Sequence, residues 1–205
     1  MAVVGLTGGV AAGKSLVSAE LERLGAHVID ADLISKEIFA PGTAEFKEAV
    51  LAFGSAILAK DGTINRKLLG AMVFADAAKL RLLNSITHPS ILRRIRDEVA
   101  SLKGRGEGVV VVDAALVMET GLDKEIDAVV VVYAPPEAQL DRLMKRDGLS
   151  REQALQRIDA QMPMEEKVKR AQFVIDNSGE AADALASVKD LYGKLKTGAY
   201  VKKRG

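Results

Sequence analysis

Three features of the sequence predict an α/β fold on a five-stranded, mostly parallel sheet. Short apolar runs end in small, acidic or turn residues, helical patterns alternate with them, and a glycine-rich loop joins the first run to the first helical pattern. The runs are Val3 to Leu6, His27 to Ile29, Val109 to Val112, Ala128 to Tyr133 and Phe173 to Ile175. Periodicity does not separate buried strand from buried helix here, but the shortness and valine content of the runs favour strand.

The first helical pattern places Val17, Leu21 and Leu24 on one face and closes at Gly25, a residue suited to a helix C-terminal cap. After Asp32 more than 70 residues rich in Ala, Leu and Lys precede the Val109 run, too many for one crossover helix, so a helical subdomain is expected there. Pro135-Pro136 opens a further helix with Leu140, Leu143 and Met144 on one face, and Ser150 with Gln153 three residues on spells a capping box for the next. Arg142, Arg146, Arg151 and Arg157 cluster in this stretch and are too many to be core. The expected division is a core over 1–32, a helical insertion over 33–103, core again over 104–141, a small helical lid over 142–165 and the last part of the core over 166–205. The tail with Lys202, Lys203 and Arg204 reads as a solvated basic terminus.

Composition narrows the function. With 48% hydrophobic and 28% charged residues the chain is neither disordered nor membrane-embedded, and no apolar run approaches the roughly 18 residues of a spanning helix. Cysteine is absent, which removes disulfides, thiol nucleophiles and thiolate zinc sites. Met1 leads into an apolar segment without a basic leader, so a cytoplasmic location is expected. The 29 basic and 28 acidic residues nearly cancel, which argues against a nucleic-acid binder working by phosphate neutralisation. The stretch 33–103 nevertheless holds 11 basic and 7 acidic side chains, a local +4, so an anionic substrate is expected to prefer it.

The chemistry starts at Gly8-Gly9-Val10-Ala11-Ala12-Gly13-Lys14-Ser15, which fits G-x-x-x-x-G-K-[ST] between a predicted strand and helix. Glycines let the backbone of Gly9, Val10, Ala11, Ala12 and Gly13 wrap a phosphate with amides inward, and the helix N-terminus adds donors and positive dipole. Lys14 is then expected to reach the β- and γ-phosphates of a nucleotide, the Ser15 hydroxyl to ligate Mg²⁺, and the Leu16 amide to serve a phosphate oxygen whatever its side chain. The plainer alternative is a Gly-rich turn without a ligand. No Asn-Lys-x-Asp follows a late strand, which disfavours a switch GTPase; an ATPase driving a protein partner stays open.

Asp30 and Asp32 close the second run two residues apart, on one face if the chain stays extended. Ligands of open parallel sheets bind beyond the strand carboxyl ends, so Asp32 is a candidate base for an acceptor hydroxyl. It is equally suited to cap a helix beginning near Leu33, and position alone leaves both roles open. Asp113, ending a hydrophobic strand, is suited to hold a water of Mg²⁺ or simply to end the strand.

The residues so far, with others along the chain, resemble the dephospho-coenzyme A kinases. Leu6-Thr7-Gly8-Gly9 and Val28-Ile29-Asp30-Ala31-Asp32 are similar to that family's first two motifs. Phe53-Gly54, Asp61-Gly62 with Asn65-Arg66, Val73-Phe74, Leu83 to Pro89, Arg142 with Arg146, Arg157-Ile158 to Gln161, and Val174 to Asn177 with Gly179 follow in the family's order, from Leu6 to Gly179.

The resemblance implies a three-layer P-loop kinase fold and ATP-dependent phosphorylation of the ribose 3′-hydroxyl of dephospho-CoA, the last step of coenzyme A biosynthesis. It favours Asp32 as general base, makes the insertion the acceptor-binding domain, and implies a lid whose Arg142 and Arg146 cover the transferring group, with Asn177 near the adenine. Arg66, His88, Arg93 and Arg94 are the candidates to meet the anionic acceptor. A solvated helix face explains the last two as well, and His88 before Pro89 is also suited to fixing a turn. Another nucleoside or nucleotide kinase is the alternative. The expected partners are these small molecules, without nucleic acid or membrane, and a monomer is compatible with the reading.

Several positions depart from the family pattern. Ala115-Leu116-Val117-Met118-Glu119 stands where a Pro-Leu-Leu run leading to Glu is expected, which predicts a less rigid loop. Ala12 and Leu16 lack the usual hydroxyls, and Gln172 replaces a common acid.

Overall fold

The structure, a computed structural model, describes residues 1–105 and 108–199. In chain order it begins with β1 (Ala2–Gly8), α1 (Lys14–Arg23) and β2 (His27–Asp30). There follow α2 (Ala31–Ile38), α3 (Ala44–Phe53), α4 (Arg66–Phe74) and α5 (Ala77–Gly104). The chain continues with β3 (Val109–Asp113), β4 (Ala128–Tyr133), α6 (Pro136–Asp147), α7 (Arg151–Asp159), α8 (Met164–Arg170), β5 (Phe173–Asp176) and α9 (Ala181–Thr197). Lys202, Lys203 and Arg204 lie outside the described residues.

The chain divides into two compact units, Met1–Asp30 with the chain from Glu98 onward, and Ala31–Asp97. The insertion expected over 33–103 thus differs at both ends from the unit found. At its start the chain turns straight from β2 into α2, and at its end α5 runs on unbroken to Gly104.

The first unit carries a parallel sheet in the order β2-β3-β1-β4-β5. Side chains alternate between the faces of a strand, so complete burial of β1 and β3 requires cover on both faces, which makes three layers. Gln172, in place of an acid, accepts the Val129 amide at 2.7 Å, so its side-chain oxygen supplies the acceptor there. The helix α1 ends at Arg23, and Gly25, at φ 102°, takes the left-handed conformation just beyond it. The α7 capping box is present in both directions between Ser150 and Gln153. Leu140 and Leu143 of α6 pack with Ala154 of α7, and Val10, Ala11, Met144 and Ile158 join them.

The second unit has its own core of Phe39, Ala49, Ile57, Ile64, Leu69 and Val73. Thr43 caps α3 and Asn65 caps α4. Asp61-Gly62 makes the turn between Leu58 and Ile64, where the Thr63 amide donates to the Asp61 carboxylate and Gly62 sits at φ 81°. The turn read at His88-Pro89 is corrected: both residues lie inside α5. Pro89 removes the amide that would donate to the Ser85 carbonyl, but the helix continues through it.

Candidate active site

Burial of β1 on both faces delivers the loop 9–13 at the carboxyl edge of the sheet. Glycine is demanded there by its neighbours. A Cβ on Gly8 would come 2.6 Å from the Val132 carbonyl oxygen, and one on Gly9 2.0 Å from Gln139 Oε1. At Gly13 a Cβ would lie 2.0 Å from Asn177 Nδ2, and φ there is 96°, in the left-handed region. Ala11 also takes a positive φ, 57°. The Ala12 amide donates to the Gly9 carbonyl at 3.1 Å. Among the described residues no backbone bond occupies the amides of Val10, Ala11 and Gly13, which stay available to an anion. The Leu16 amide donates to the Gly13 carbonyl at 3.0 Å and tightens the start of α1.

Lys14 begins α1, and its ammonium bonds the Asp113 carboxylate at the end of β3. Asp113 is register partner to Asp30 across the β2–β3 ladder. Burial pushes the Asp113 carboxyl above its ordinary value; Lys14 and Ser18 oppose the shift and the Asp30 charge adds to it. Ser15, the next residue of α1, is exposed.

A second cation at the loop carries no motif. Lys167 of α8 is fully buried, and its ammonium reaches the Ala115 carbonyl at 2.9 Å, Glu119 Oε1 at 3.0 Å and the Gly8 carbonyl at 3.5 Å. The Ala115 carbonyl also accepts the Thr7 hydroxyl at 2.8 Å, so two donors hold this loop where the family pattern has proline. Glu119 accepts the Met162 amide as well, at 2.9 Å. Sequence reasoning missed Lys167 and Gln139. The available signal for the lysine was its place three residues after Met164 on the inward stripe of α8, between exposed charged residues.

Asn177, Arg142 and the loop meet. The Asn177 side-chain amide donates to the Ala12 carbonyl at 2.8 Å, while Arg142 donates to the Asn177 backbone carbonyl at 3.2 Å. Asn177 therefore sits buried against the phosphate loop itself. Arg146 is exposed and pairs with Asp147, which also receives Arg157 at 2.7 Å. These arginines hold Asp147 below its usual carboxylate value.

In the second unit, Asp32 is exposed in the first turn of α2. This corrects two expectations. The chain is not extended past Asp30, so the same-face argument fails, and Asp32 lies inside the helix and so does not cap it. The Arg66 guanidinium feels the Asp32 charge, donates to the Ser35 carbonyl at 3.2 Å and lies over the Phe39 ring, 5.8 Å from its centroid. Burial lowers the Arg66 pKa, which Asp32 partly offsets. Arg94 pairs with Glu37 at 2.8 Å. Arg93 donates to the Ser90 hydroxyl at 3.3 Å, which in turn bonds Glu45. His88 is half-buried, and burial pushes its imidazole down. The structure thus groups Asp32 with Arg66 but ties Arg93 to a separate Ser90–Glu45 contact.

The profile of the dephospho-CoA kinase family matches residues 2–183. The chain belongs to the dephospho-CoA kinase family. A dephospho-CoA kinase of Geobacter sulfurreducens is 48% identical over 95% of this chain and 98% of its own length. The solved dephospho-CoA kinase of Campylobacter jejuni superposes with a TM-score of 0.70 at 31% identity, over 96% of this chain and 98% of that one. A shikimate kinase of Acinetobacter baumannii, 16% identical, shares the fold with a TM-score of 0.55 over 97% of this chain and 94% of its own. The chain is accordingly a phosphotransferase of coenzyme A biosynthesis with ATP as donor and dephospho-CoA as acceptor. No helix among the described residues is long and apolar enough to cross a membrane.

Proposed function

We propose that the chain moves the γ-phosphoryl group of ATP to the ribose 3′-hydroxyl of dephospho-CoA. The 3′-oxygen forms a bond to the γ-phosphorus, the bond from that phosphorus to the β,γ-bridging oxygen breaks, and the hydroxyl proton passes to Asp32. The observation that supports this most is the walled glycine loop with Lys14 at its end. The amides of Val10, Ala11 and Gly13 bind the phosphates, with Gly9 and Ala12 shaping the turn. On nucleotide binding the Lys14 ammonium exchanges Asp113 for phosphate oxygens, where charge grows in the transition state.

Mg²⁺ would suit a hydroxyl and a carboxylate such as those of exposed Ser15 and of Asp113 at the end of β3, because it takes few protein oxygens and keeps water and phosphate ligands. Ser15 and Asp113 would hold it, and there it would neutralise phosphate charge. Arg142 and Arg146 act from the lid, excluding water so that phosphoryl transfer outruns hydrolysis. Asn177 keeps the loop in shape through Ala12. Asp32 orients the acceptor hydroxyl, with Arg66, His88 and Arg93 binding the rest of the acceptor. The unit Ala31–Asp97 carries ten basic and seven acidic residues, a balance suited to an anionic diphosphate.

The test is ADP release measured with and without dephospho-CoA, with AMP, uridine and adenosine as competing acceptors. Acceleration by dephospho-CoA alone is expected; equal rates with and without it would sink the assignment.

A further inference from the structure

Lys167 is a charge where stability alone would not put one. Desolvating an ammonium is costly, and an apolar side chain of similar volume often serves a buried position as well or better. Burial pushes this ammonium down from its ordinary value, Glu119 opposes the shift, and Lys14 adds repulsion. Three N–H donors meet three acceptors, Ala115 O, Glu119 Oε1 and the more distant Gly8 O, so every donor has a partner.

We propose that Lys167 is a positioning residue for phosphoryl transfer, setting the Gly8–Gly9 peptide at the start of the phosphate loop, with Glu119 as its counter-charge. The inference rests on the kinase reading above. In a trans peptide the carbonyl and the following amide point in opposite directions, so holding the Gly8 carbonyl fixes where the Gly9 N–H is aimed. The same helix acts twice. Met164, one turn before Lys167, brings its Cε to 2.9 Å from where a Gly9 Cβ would stand, so α8 meets the start of the loop at Gly9 as well as at the Gly8 carbonyl. Through Ala115 the ammonium also shares an acceptor with Thr7, and through Glu119 it is tied to the Met162 amide that precedes α8.

The test compares Lys167→Met and the double variant Lys167→Met/Glu119→Gln with wild type. The readouts are thermal unfolding, ATP affinity without acceptor, and kcat and KM for both substrates. The single variant leaves a carboxylate without its cation and loses stability; the double variant removes that charge and restores the melting temperature. If Lys167 positions the loop, kcat stays down by about 10²-fold in both variants, the scale of an ångström-sized misplacement, while KM for dephospho-CoA stays within about twofold. A double variant that regains wild-type kcat together with its stability would overturn the proposal. So would failure of both variants to fold, because the lysine would then be a requirement of the fold. Wild-type ATP turnover that ignores dephospho-CoA would instead refute the kinase reading, and the ATP affinities would still report on the loop.

Discussion

The Lys14 ammonium is bonded to the Asp113 carboxylate, so the cation at the end of loop 9–13 is tied to the carboxyl end of β3. Removing Lys14 should therefore do two things at once. We expect Lys14→Ala to weaken ATP binding and to lower turnover, as measured by titration calorimetry and steady-state rates. Unchanged ATP affinity would reject the role given to the loop.

The same pair has a pH signature. Because burial raises the Asp113 carboxyl, the native protein keeps this proton when the unfolded chain has released it. As pH rises above the ordinary aspartate value of 3.8, the unfolded state is favoured until the native carboxyl ionises too. Relative to Asp113→Asn, wild-type stability should fall across that window and then level off. Melting temperatures of both proteins at closely spaced pH values would show it, and a constant difference would mean that the carboxyl is not raised.

Asp32 lies in the first turn of α2 beside the Arg66 charge, and it belongs to the unit Ala31–Asp97 rather than to the unit that carries loop 9–13. Asp32→Asn should cost about 10²–10⁴-fold in kcat, the usual size of a general-base contribution, with ATP affinity nearly unchanged. Asp30→Asn should cost far less turnover, since Asp30 faces Asp113 across the ladder. Rates for the two variants side by side decide which carboxylate takes the proton, and equal losses would remove Asp32 from that role.

Much of this was legible in the sequence because local rules govern it. Valine runs set the strands, and Ser150 with Gln153 set the start of α7. What escaped was decided by tertiary context. The extended run expected to carry Asp32 stops at Asp30, because buried Ala31 already begins α2. Pro89 is a helix breaker by propensity, yet α5 continues through it, with Ile95 further along buried. Lys167 escaped because its partners Gly8, Ala115 and Glu119 come from distant segments, and three acceptors in space leave no local motif.

The two loop glycines should respond differently to repair. Gly9→Ala meets the Gln139 side chain and the end of Met164, while its φ is not in the left-handed region. Trimming the obstacle in Gly9→Ala/Gln139→Ala should restore part of the lost ATP affinity. Gly13→Ala meets Asn177 and also a φ of 96°, a conformation that costs a residue with Cβ about 1–2 kcal/mol. Gly13→Ala/Asn177→Ala should therefore stay impaired, as it also loses the Ala12 contact. ATP titrations of the four variants test this, and equal rescue at both positions would show that space alone sets the glycine requirement.

Asp147 joins the end of α6 to α7 by accepting from Arg146 and Arg157, and these bonds hold its carboxyl below its usual value. The native protein thus gives up this proton more readily than the unfolded chain. The stabilisation is present above the ordinary value of 3.8 and fades as pH falls through the lower native value. Asp147→Asn should lower stability at neutral pH by under about 1 kcal/mol, since solvent screens a partly exposed pair. The gap between variant and wild type should then close in acid. Denaturant melts at neutral pH and at successively lower pH from 3.8 downward would measure both; a gap that does not narrow along that series would mean that packing at this position, rather than the charge pair, supplies the stability.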